Sequence, residues 1–377
     1  MKILHLSDTG LPDWRVEKSA ITGIKQGYSL LFAGPRDWRM HSEKTFSSTY
    51  ELDWTSWSRM GIPYHWHMIK KQLKSILSET NPDIIHAHNL CSAKLASEFK
   101  VPFIYDDHEF WSLYARLLLE SSAIKQDEDT NSLDRIVRHK LVKLNRHYIA
   151  FRWSRWEKTI VQNNPVITVS EAIRNQLKSL GNSYSFVVPN VPLMAEVQEI
   201  QDLKYELTPS SVYAGHDGLS TEKYPYRNMD GLVTLFQNKD IGTLTIIGWP
   251  GQSSSKIIYR GRLERNEMFS DMTKHSVGLV PFRKHWSHPY LSPNKAYEYA
   301  NAGLLVVCTS SFRSVISNLN DNCEVFEDYS DLESVLMNLA SDVEHLYKRR
   351  IQIMNFARKN LTWEKFEGNI IKAYGLC

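Results

Sequence analysis

The sequence predicts an α/β protein made of two successive domains, each built on a parallel sheet. Short apolar strands alternate with amphipathic helices along the 377 residues, as they do in series of βαβ units. The alternation breaks once, at Pro189–Pro192, and a chain of this length can form two separate cores. We therefore predict two Rossmann-like domains, residues 1–191 and 211–360, joined by a linker over residues 192–210.

The first domain is predicted from strand-like runs that are separated by helical patterns or turns. The strands are Met1–Leu6, Tyr28–Phe32, Asp83–His86, Phe103–Tyr105, Asn164–Val169 and Ser185–Val188. The helices cover about Arg15–Gln26 and His67–Leu77, with a short one after His86 and another that Ser170 caps. Each apolar run is short enough to be a buried strand.

The second domain repeats the pattern. Its strands are Val212–Gly215, Thr243–Gly248, Lys256–Tyr259, Val277–Phe282, Leu304–Val307 and Glu324–Phe326, with helices between them. Trp363–Tyr374 is helical and has no strand of its own to cover. We therefore expect residues 361–377 to cross back to the first domain.

Composition narrows the functional classes. A net charge of +3 is too small to indicate nucleic-acid binding by itself. No apolar run reaches the length of a membrane span, and the N-terminus enters a strand with no signal peptide before it. The four cysteines form no CxxC pair. These features predict a cytoplasmic protein, with peripheral contact at the inner face of a membrane left open.

The segment from Ser292 to Gly303 carries most of the functional information. It lies between two apolar strands, Val277–Phe282 and Leu304–Val307. Ser292 is a predicted N-cap, and Pro293 suits the first helical position. Gly303 is placed to end the helix. The helix therefore begins at the carboxyl edge of a parallel sheet, where α/β folds bind ligands.

A helix that begins at such an edge favours an anionic group, typically phosphate. Asn294 and Glu298 are four residues apart and share one face of the helix. A carboxylate one turn beyond a phosphate site can accept hydrogen bonds from a ribose diol, so the pattern indicates a sugar nucleotide. The alternative is that Asn294 and Glu298 only stabilise the helix, with Glu298 paired to Lys295.

Two other strand ends of the second domain have the composition of nucleotide-binding loops. The strand that ends at Gly215 is followed by a loop that reaches Arg227, whose guanidinium could neutralise a diphosphate. Gly248 begins a second turn, Gly248–Gly251. A surface arginine and an ordinary tight turn are the alternatives.

The first domain predicts an acceptor surface at its strand ends. Asp8–Gly10, His86–His88 and Tyr105–Glu109 place polar residues after three strands. The His-x-His and Asp-Asp-His patterns also suggest a metal. No further cluster completes a coordination sphere, so we predict none. Asp127–Asp129 resembles an Asp-x-Asp metal motif, but it lies in a charged insertion and is interpreted as solvated.

Residues Val137–Lys158 form a helix rich in Arg, Lys, Trp and Tyr. Such a face suits a membrane surface or a lipid acceptor. The competing interpretation is that Trp and Leu pack on the first sheet and the charges face water.

Several motifs resemble the GT-B glycosyltransferases, particularly retaining family 4, over nearly the whole chain. Asn81–His88 is similar to the family's "pDiiHaH" strand, and residues 293–307 to its "PNKxxEYxxxGxPVV" segment. The other matches, in the family's order, are Asp13–Val16 with Gly27-Tyr28, Val166–Glu171, Val188–Asn190 and Gly261–Leu263.

The resemblance implies a nucleotide-sugar donor in the second domain, an acceptor in the first and transfer across a cleft. Glu298 would bind the ribose, Asn294 and Lys295 would line the diphosphate or sugar pocket, and Arg227 would stabilise the leaving diphosphate. His108 would lie near the donor sugar, and no metal or other cofactor is required. The predicted donor-binding residues are Gly215, Arg227, Gly248, Arg262, Tyr290, Ser292, Asn294, Lys295 and Glu298. The acceptor side comprises Asp8, Gly10, His88, Asp107 and His108.

The sequence also departs from the family pattern. His216–Gly218 follows Gly215, where the family has an arginine, and Tyr290 replaces the first Glu of a Glu-x7-Glu pair. We predict a retaining hexosyltransferase that uses a nucleoside diphosphate sugar and a glycan, lipid-linked or small-molecule acceptor. The alternatives are a sugar-nucleotide epimerase of the same fold and a catalytically weakened binding scaffold.

Overall fold

The computed structural model describes residues 1–36, 45–120, 132–200, 203–215, 225–320 and 322–377. Two predicted features, the Asp127–Asp129 motif and the His216–Gly218 departure, lie outside these residues. The described chain forms two compact units. The first contains residues 1–120, 132–189 and 366–377, and the second contains residues 190–365.

The first unit contains a seven-stranded sheet in which every pairing is parallel, in the order β3-β2-β1-β4-β5-β6-β7. Its strands are β1 (Lys2–Ser7), β2 (Ser29–Gly34), β3 (Ser48–Glu51), β4 (Ile84–His88), β5 (Phe103–Asp107), β6 (Val166–Thr168) and β7 (Ser185–Val187). The strand order reverses at β1, because its neighbours β2 and β4 lie on opposite sides. Such a switch point is where open α/β sheets bind ligands.

Helices connect these strands. They are α1 (Trp14–Lys25), α2 (Ser56–Arg59), α3 (Pro63–Thr80), α4 (Asn89–Ala96), α5 (Trp111–Glu120), α6 (Ser132–Asn163) and α7 (Glu171–Ser179). The side chain of Asp13 caps α1, and that of Ser170 caps α7 as predicted. α3 begins four residues before the predicted start because Pro63 occupies its first turn, where a missing N–H costs nothing.

The second unit contains a six-stranded sheet, also parallel throughout, in the order β10-β9-β8-β11-β12-β13. The strands are β8 (Ser211–Ala214), β9 (Leu244–Ile247), β10 (Ile257–Gly261), β11 (Val277–Val280), β12 (Leu305–Thr309) and β13 (Glu324–Phe326). β8 and β11 are neighbours, so their carboxyl ends form the switch point of this sheet.

The helices of the second unit are α8 (Met194–Val197), α9 (Leu232–Asn238), α10 (Arg265–Met272), α11 (Asn294–Asn301), α12 (Arg313–Asn318), α13 (Tyr329–Ser341) and α14 (Val343–Asn360). The last helix of the chain, α15 (Glu367–Tyr374), belongs to the first unit, where it contacts α1, β6 and β7. Its Asn369 side chain donates to the Val187 carbonyl at 2.9 Å. Among the described helices, none is long and apolar enough to cross a membrane.

Candidate functional site

The candidate donor site is built from strand ends of the second unit. Gly215 follows β8, Gly248 follows β9, and α11 begins at Asn294 after the loop that leaves β11. β8 pairs with both β9 and β11, so the three elements end at one edge of the sheet. The predicted phosphate-binding loops therefore converge at the switch point.

The start of α11 differs from the prediction. Ser292 is not the N-cap: Pro293 takes that position, with φ −66° and ψ 122°, and the first helical residue is Asn294. The Ser292 hydroxyl instead donates to the Tyr297 hydroxyl at 3.3 Å, a buried contact that directs it away from the helix amides. None of the described side chains caps the helix, so its first backbone N–H groups can meet an anion. The predicted end is confirmed, because Gly303 follows the helix with φ +77°.

Gly248 brings two loops into close backbone contact. Its φ is +129°, and a Cβ added there would lie 1.8 Å from the carbonyl oxygen of Gly215. The Gly248 N–H donates to the Gly261 carbonyl at 2.7 Å, and the Gly215 N–H donates to the Ile247 carbonyl at 2.9 Å. Only glycine fits this crossing of the loops after β8 and β9.

A Gly248→Ala substitution is expected to destabilise the protein by more than Gly261→Ala. Both positions have positive φ, which costs a non-glycine residue about 1–2 kcal/mol. At Gly261 nothing lies within 4 Å of an added Cβ, so the control carries the backbone cost alone. Urea unfolding of both variants measures the difference, and equal losses would contradict the packing argument.

Lys295 supplies a mostly enclosed cation beside these loops. Its Nζ lies 3.8 Å from the ring centre of Tyr213 and 5.0 Å from that of Phe282. An added Cβ at Gly215 would lie 2.5 Å from Nζ, so the glycine leaves room for the ammonium. Burial lowers the pKa of Lys295 well below its ordinary value, and the Arg227 guanidinium lowers it further. The negative charge of a bound anion would raise this pKa again, because it favours the ammonium form.

Arg227 is held by a buried histidine that sequence reasoning missed. It ends the short 3₁₀ turn Pro225–Arg227, and its guanidinium lies 5.3 Å from the Tyr226 ring centre. His288 Nε2 donates to the Tyr226 carbonyl and Nδ1 contacts the Ser311 hydroxyl, both at 2.8 Å. Burial lowers the pKa of His288 to about 4, so the ring is neutral at physiological pH. The neutral imidazole fixes the turn that carries Arg227.

Glu298 is paired within the second unit, although not with Lys295. The Glu298 carboxylate, whose side chain is 8% exposed, accepts from Arg265 Nη1 at 2.7 Å. Arg265, which begins α10, also pairs with Glu196 of α8. Burial would lower the pKa of Arg265, but the two carboxylates raise it above its ordinary value. The pairing holds Glu298 one turn from the helix start, where a ribose diol would lie.

Of the other predicted donor residues, Arg262, Asn294 and Tyr290 are more open, whereas Ser292 is buried. Arg262 follows β10, and Asn294 starts α11; both are exposed. Tyr290 ends the short 3₁₀ helix His288–Tyr290 and is partly buried. The Ser292 carbonyl accepts from Asn190 Nδ2 at 3.2 Å. The structure therefore brings Gly215, Gly248, Lys295 and Glu298 around one sheet edge, with these four residues at its margins.

In the first unit, a buried polar cluster occupies the ends of β4 and β5. Arg15 Nη2 donates to Asp106 Oδ1 at 2.8 Å, and both side chains are almost fully buried. His88 Nδ1 and His108 Nε2 each lie 3.5 Å from Asp106 Oδ2. Burial would raise the pKa of Asp106, but Arg15 and then His108 hold it well below its ordinary value. His108 is the exposed member of the cluster, at 13%.

His5 joins this cluster, which sequence reasoning did not foresee. His5 Nδ1 lies 3.0 Å from His88 Nε2, and His86 Nδ1 lies 2.8 Å from the Tyr374 hydroxyl. Burial lowers the pKa values of His5, His86 and His88, so all three rings are neutral. The alternation of side chains along β1 indicates which face of the sheet His5 lies on. It does not indicate that His88, which lies on β4, is its partner.

Two sets of three side chains in this region have donor atoms close enough to bind a metal ion. They are His5, His86 and His88, and His88, Asp106 and His108. Hydrogen bonds and the Arg15 ion pair already engage most of these donors. Among the described side chains, His5 Nε2 is a possible metal-ligand atom of this cluster that has no hydrogen-bond partner. The contacts between these side chains therefore form a hydrogen-bonded network around the Asp106 carboxylate.

Asp107 points into a second, separate network. Its Oδ1 accepts from the Phe110 N–H at 2.9 Å and from the Tyr105 hydroxyl at 3.0 Å. Glu157 accepts from the backbone N–H groups of Trp111 and Ser112 at 2.9 and 2.7 Å. Burial and the neighbouring Glu157 carboxylate raise the pKa of Asp107 well above its ordinary value. Burial and the Glu157 charge therefore favour the neutral form of Asp107.

Asp8 completes the polar edge at the end of β1. Its Oδ2 accepts from Arg59 Nε at 3.2 Å, and its Oδ1 accepts from Asn89 Nδ2 at 3.4 Å. Burial raises the pKa of Asp8, against the opposing effect of Arg59. Gly10 lies two residues further along and is partly exposed. Asp8, His88 and His108 thus occupy the ends of neighbouring strands, with His108 the nearest to solvent.

The sequence matches one protein-family model over part of its length, and the fold matches solved structures over the whole chain. Residues 26–191 match the sequence model of Glycosyltransferase Family 4. The whole chain is similar in structure to sucrose-phosphate synthase from Thermosynechococcus elongatus, with a TM-score of 0.69 and 12% identity, covering 100% of this chain and 99% of that one. It is also similar to HepE of Anabaena in complex with UDP-glucose, with a TM-score of 0.67 and 12% identity over 100% of both chains.

A putative UDP-N-acetylglucosamine 2-epimerase from Listeria monocytogenes has the same fold, with a TM-score of 0.58 and 10% identity, covering 99% of this chain and 95% of that one. No curated protein matches the sequence. The predicted resemblance and the predicted two-unit α/β fold are confirmed.

Proposed function

We propose that this chain, which has a GT-B fold and a Glycosyltransferase Family 4 match over residues 26–191, transfers a sugar from a nucleoside diphosphate sugar to an acceptor hydroxyl. The acceptor classes are a glycan, a lipid-linked molecule or a small molecule. We further propose a hexose donor and retention of configuration at the anomeric carbon. HepE, a structure of the same fold, is described in complex with UDP and with UDP-glucose.

The observation that carries this proposal is the arrangement around α11. Among the described residues no side chain caps the helix, the Lys295 Nζ lies beside Gly215, and Glu298 lies one turn further on. An anion at the helix start would meet backbone N–H groups and the lysine together. A carboxylate one turn away is then placed for the two hydroxyls of a ribose. Diphosphate and ribose are the parts that all ribonucleoside diphosphate sugars share.

In the proposed transfer reaction, negative charge develops on the leaving diphosphate. The bond between the anomeric carbon and the diphosphate oxygen breaks, and the diphosphate leaves with the bonding electrons. The acceptor hydroxyl oxygen bonds to the carbon, and its proton passes to the departing diphosphate. Lys295 and Arg227 would stabilise the negative charge on the leaving diphosphate. These cations belong to the protein, so we propose that no metal is required. His108, the open member of the first-unit cluster, is proposed to contact the donor sugar.

Glu298→Gln is expected to weaken nucleoside diphosphate binding by about 10- to 100-fold, the worth of a hydrogen bond to a charged group. Binding of inorganic pyrophosphate should change much less, because it has no ribose. Isothermal titration calorimetry with UDP, GDP and pyrophosphate gives the three affinities. The loss should also shrink with the 2′-deoxynucleotide, since the hydroxyl that Glu298 binds is then missing.

Glu196→Gln is the matched control, because Glu196 is the other carboxylate paired with Arg265. If Glu298 acted only as an ion-pair partner, both variants would behave alike. Equal affinities of Glu298→Gln and the unsubstituted protein for every nucleotide would refute the ribose assignment.

Product analysis separates the remaining alternatives. A transferase releases nucleoside diphosphate, whereas an epimerase returns an intact sugar nucleotide with a changed sugar. A binding scaffold retains affinity for the nucleotide and does neither. A panel of sugar nucleotides can first be screened by thermal shift, since a ligand at 100 times its Kd adds about 2.7 kcal/mol of stability.

A further inference from the structure

Helix α6 of the first unit carries a row of exposed apolar side chains. Leu141, Leu144, Tyr148 and Phe151 are 60%, 68%, 43% and 68% exposed. Their spacing of three, four and three residues places them on one face of the helix. The predicted packing of the helix's leucines on the sheet is therefore wrong at Leu141 and Leu144.

The opposite face of α6 is the one that packs against the unit. Trp153, Glu157 and Ile160 are buried there, and Glu157 accepts hydrogen bonds from the start of α5. The exposed row is thus additional to the core-facing surface. Clusters of large apolar side chains that are exposed on a protein surface mark interaction sites.

Basic residues outnumber acidic ones in the part of α6 from residue 140 to residue 158. From residue 140 to residue 158 the basic residues are Lys140, Lys143, Arg146, Arg152, Arg155 and Lys158. Glu157 is the one acidic residue in that range, and its side chain is buried. Lys140, Lys143, Arg155 and Lys158 are exposed. The exposed surface of residues 140–158 is therefore apolar and cationic at once.

A groove of about 770 Å³ adjoins the row on the same unit. Tyr148 and Phe151 belong both to the row and to the groove wall, with Trp156 beside them. Lys94, Arg152 and Arg155 also line it. The Arg152 guanidinium lies 5.0 Å from the Trp156 ring centre. The groove thus combines aromatic walls with cationic side chains.

We propose that α6 binds the surface of an anionic phospholipid bilayer, with the apolar row inserted among the lipids and the basic side chains at the phosphates. Interfacial helices combine these two features. A nucleic acid would use the charges but has no use for exposed Leu141, Leu144 and Phe151. This inference goes beyond the proposed transfer reaction and does not depend on it. It would place the first unit at a membrane.

The test is co-sedimentation of the full chain with vesicles of phosphatidylcholine alone or with about 40% phosphatidylglycerol, whose negative surface potential attracts basic side chains. Binding is expected to the mixed vesicles and to weaken with salt. Leu144→Ser/Phe151→Ser and Lys143→Glu/Lys158→Glu should each lower the partition coefficient at least about tenfold. All four side chains are exposed, so thermal melting should be unchanged.

Matched controls lie elsewhere on the surface. Leu207→Ser removes a leucine that is 83% exposed in the second unit, and Lys74→Glu/Lys178→Glu reverses two exposed lysines on α3 and α7. These variants should bind as the parent does. Losses equal to those of the α6 variants would overturn the proposal.

An environment-sensitive fluorophore separates insertion from simple charge attraction. In a Cys377→Ser background, whose other cysteines are buried, a nitrobenzoxadiazole label at Leu144→Cys should brighten and be quenched by brominated acyl chains. The same label at Leu207→Cys should not. Absence of quenching at position 144, or tight binding of polyuridylate RNA that the apolar substitutions leave intact, would refute bilayer insertion.

Discussion

Replacing Arg227 by methionine is expected to lower kcat for nucleoside diphosphate release by about 10²- to 10³-fold, the usual cost of removing one preorganised charge from a developing anion. The guanidinium is close enough to Lys295 to lower its pKa, so both cations act on the same region. Methionine keeps the length of the side chain and removes the charge. Steady-state kinetics with the donor identified by the thermal-shift panel measures the effect.

Arg283→Met is the control for this experiment. Arg283 donates to the Asp230 carbonyl at 2.8 Å, and its backbone N–H donates to the Asn228 carbonyl, so it supports the same loop without the proposed contact. If loop position were the whole contribution of Arg227, the two variants would lose activity equally. Arg227→Lys should fall between Arg227→Met and the parent, because a point charge remains while the planar fork is lost.

Asp106→Asn is expected to destabilise the first unit by about 3–5 kcal/mol, whereas Asp107→Asn should cost less than about 1 kcal/mol at pH 7. Asp106 is the partner of buried Arg15, and an amide would leave that guanidinium charge uncompensated. Burial and the Glu157 carboxylate favour the neutral form of Asp107, and an amide has the same charge and shape as that form. Urea unfolding of the two variants measures the contrast between neighbouring aspartates.

The same pair of variants predicts opposite behaviour with pH. The folded-state pKa of Asp106 is depressed, so its contribution is fully present above the unfolded pKa of about 3.9 and is lost as pH falls through the folded value. The gap between the parent and Asp106→Asn should therefore close only in strong acid. The pKa of Asp107 is raised, so its contribution to stability is fully present below the unfolded pKa of about 3.9 and is lost as pH rises from there through the folded value. Asp107→Asn should therefore gain on the parent over that range. Parallel profiles for both variants would contradict these assignments.

Much of the fold was predictable from local patterns, because the buried strands of parallel sheets are short, apolar and separated by helical periodicity. The placement of Gly215, Gly248 and α11 at one edge followed from strand order alone. The prediction that Ser292 is the N-cap was wrong, because its hydroxyl donates to the buried hydroxyl of Tyr297 instead of bonding to the helix backbone. β3 was missed because Ser48–Glu51 has almost no buried side chains to mark it.

The site partners that were missed share a physical cause. Arg265 reaches Glu298 across 33 residues, and His288 reaches the Tyr226 carbonyl across 62. His5 meets His88 across 83 residues of chain. Periodicity and capping rules describe neighbours within one element, so contacts made by strand order and helix packing carry no local signal. The exposed row on α6 was ambiguous for the same reason, since only packing shows which face is covered.

The position of α15 also has a consequence for how the protein is made. Residues 366–377 pack with the first unit, although all of the second unit, residues 190–365, lies between them and β7 along the chain. The Tyr374 hydroxyl reaches His86, and Ile370 and Ala373 are buried. During synthesis, the earlier unit must therefore wait for the later one to leave the ribosome before its last helix can dock. The N-terminal unit is the first to be translated and the last to be completed.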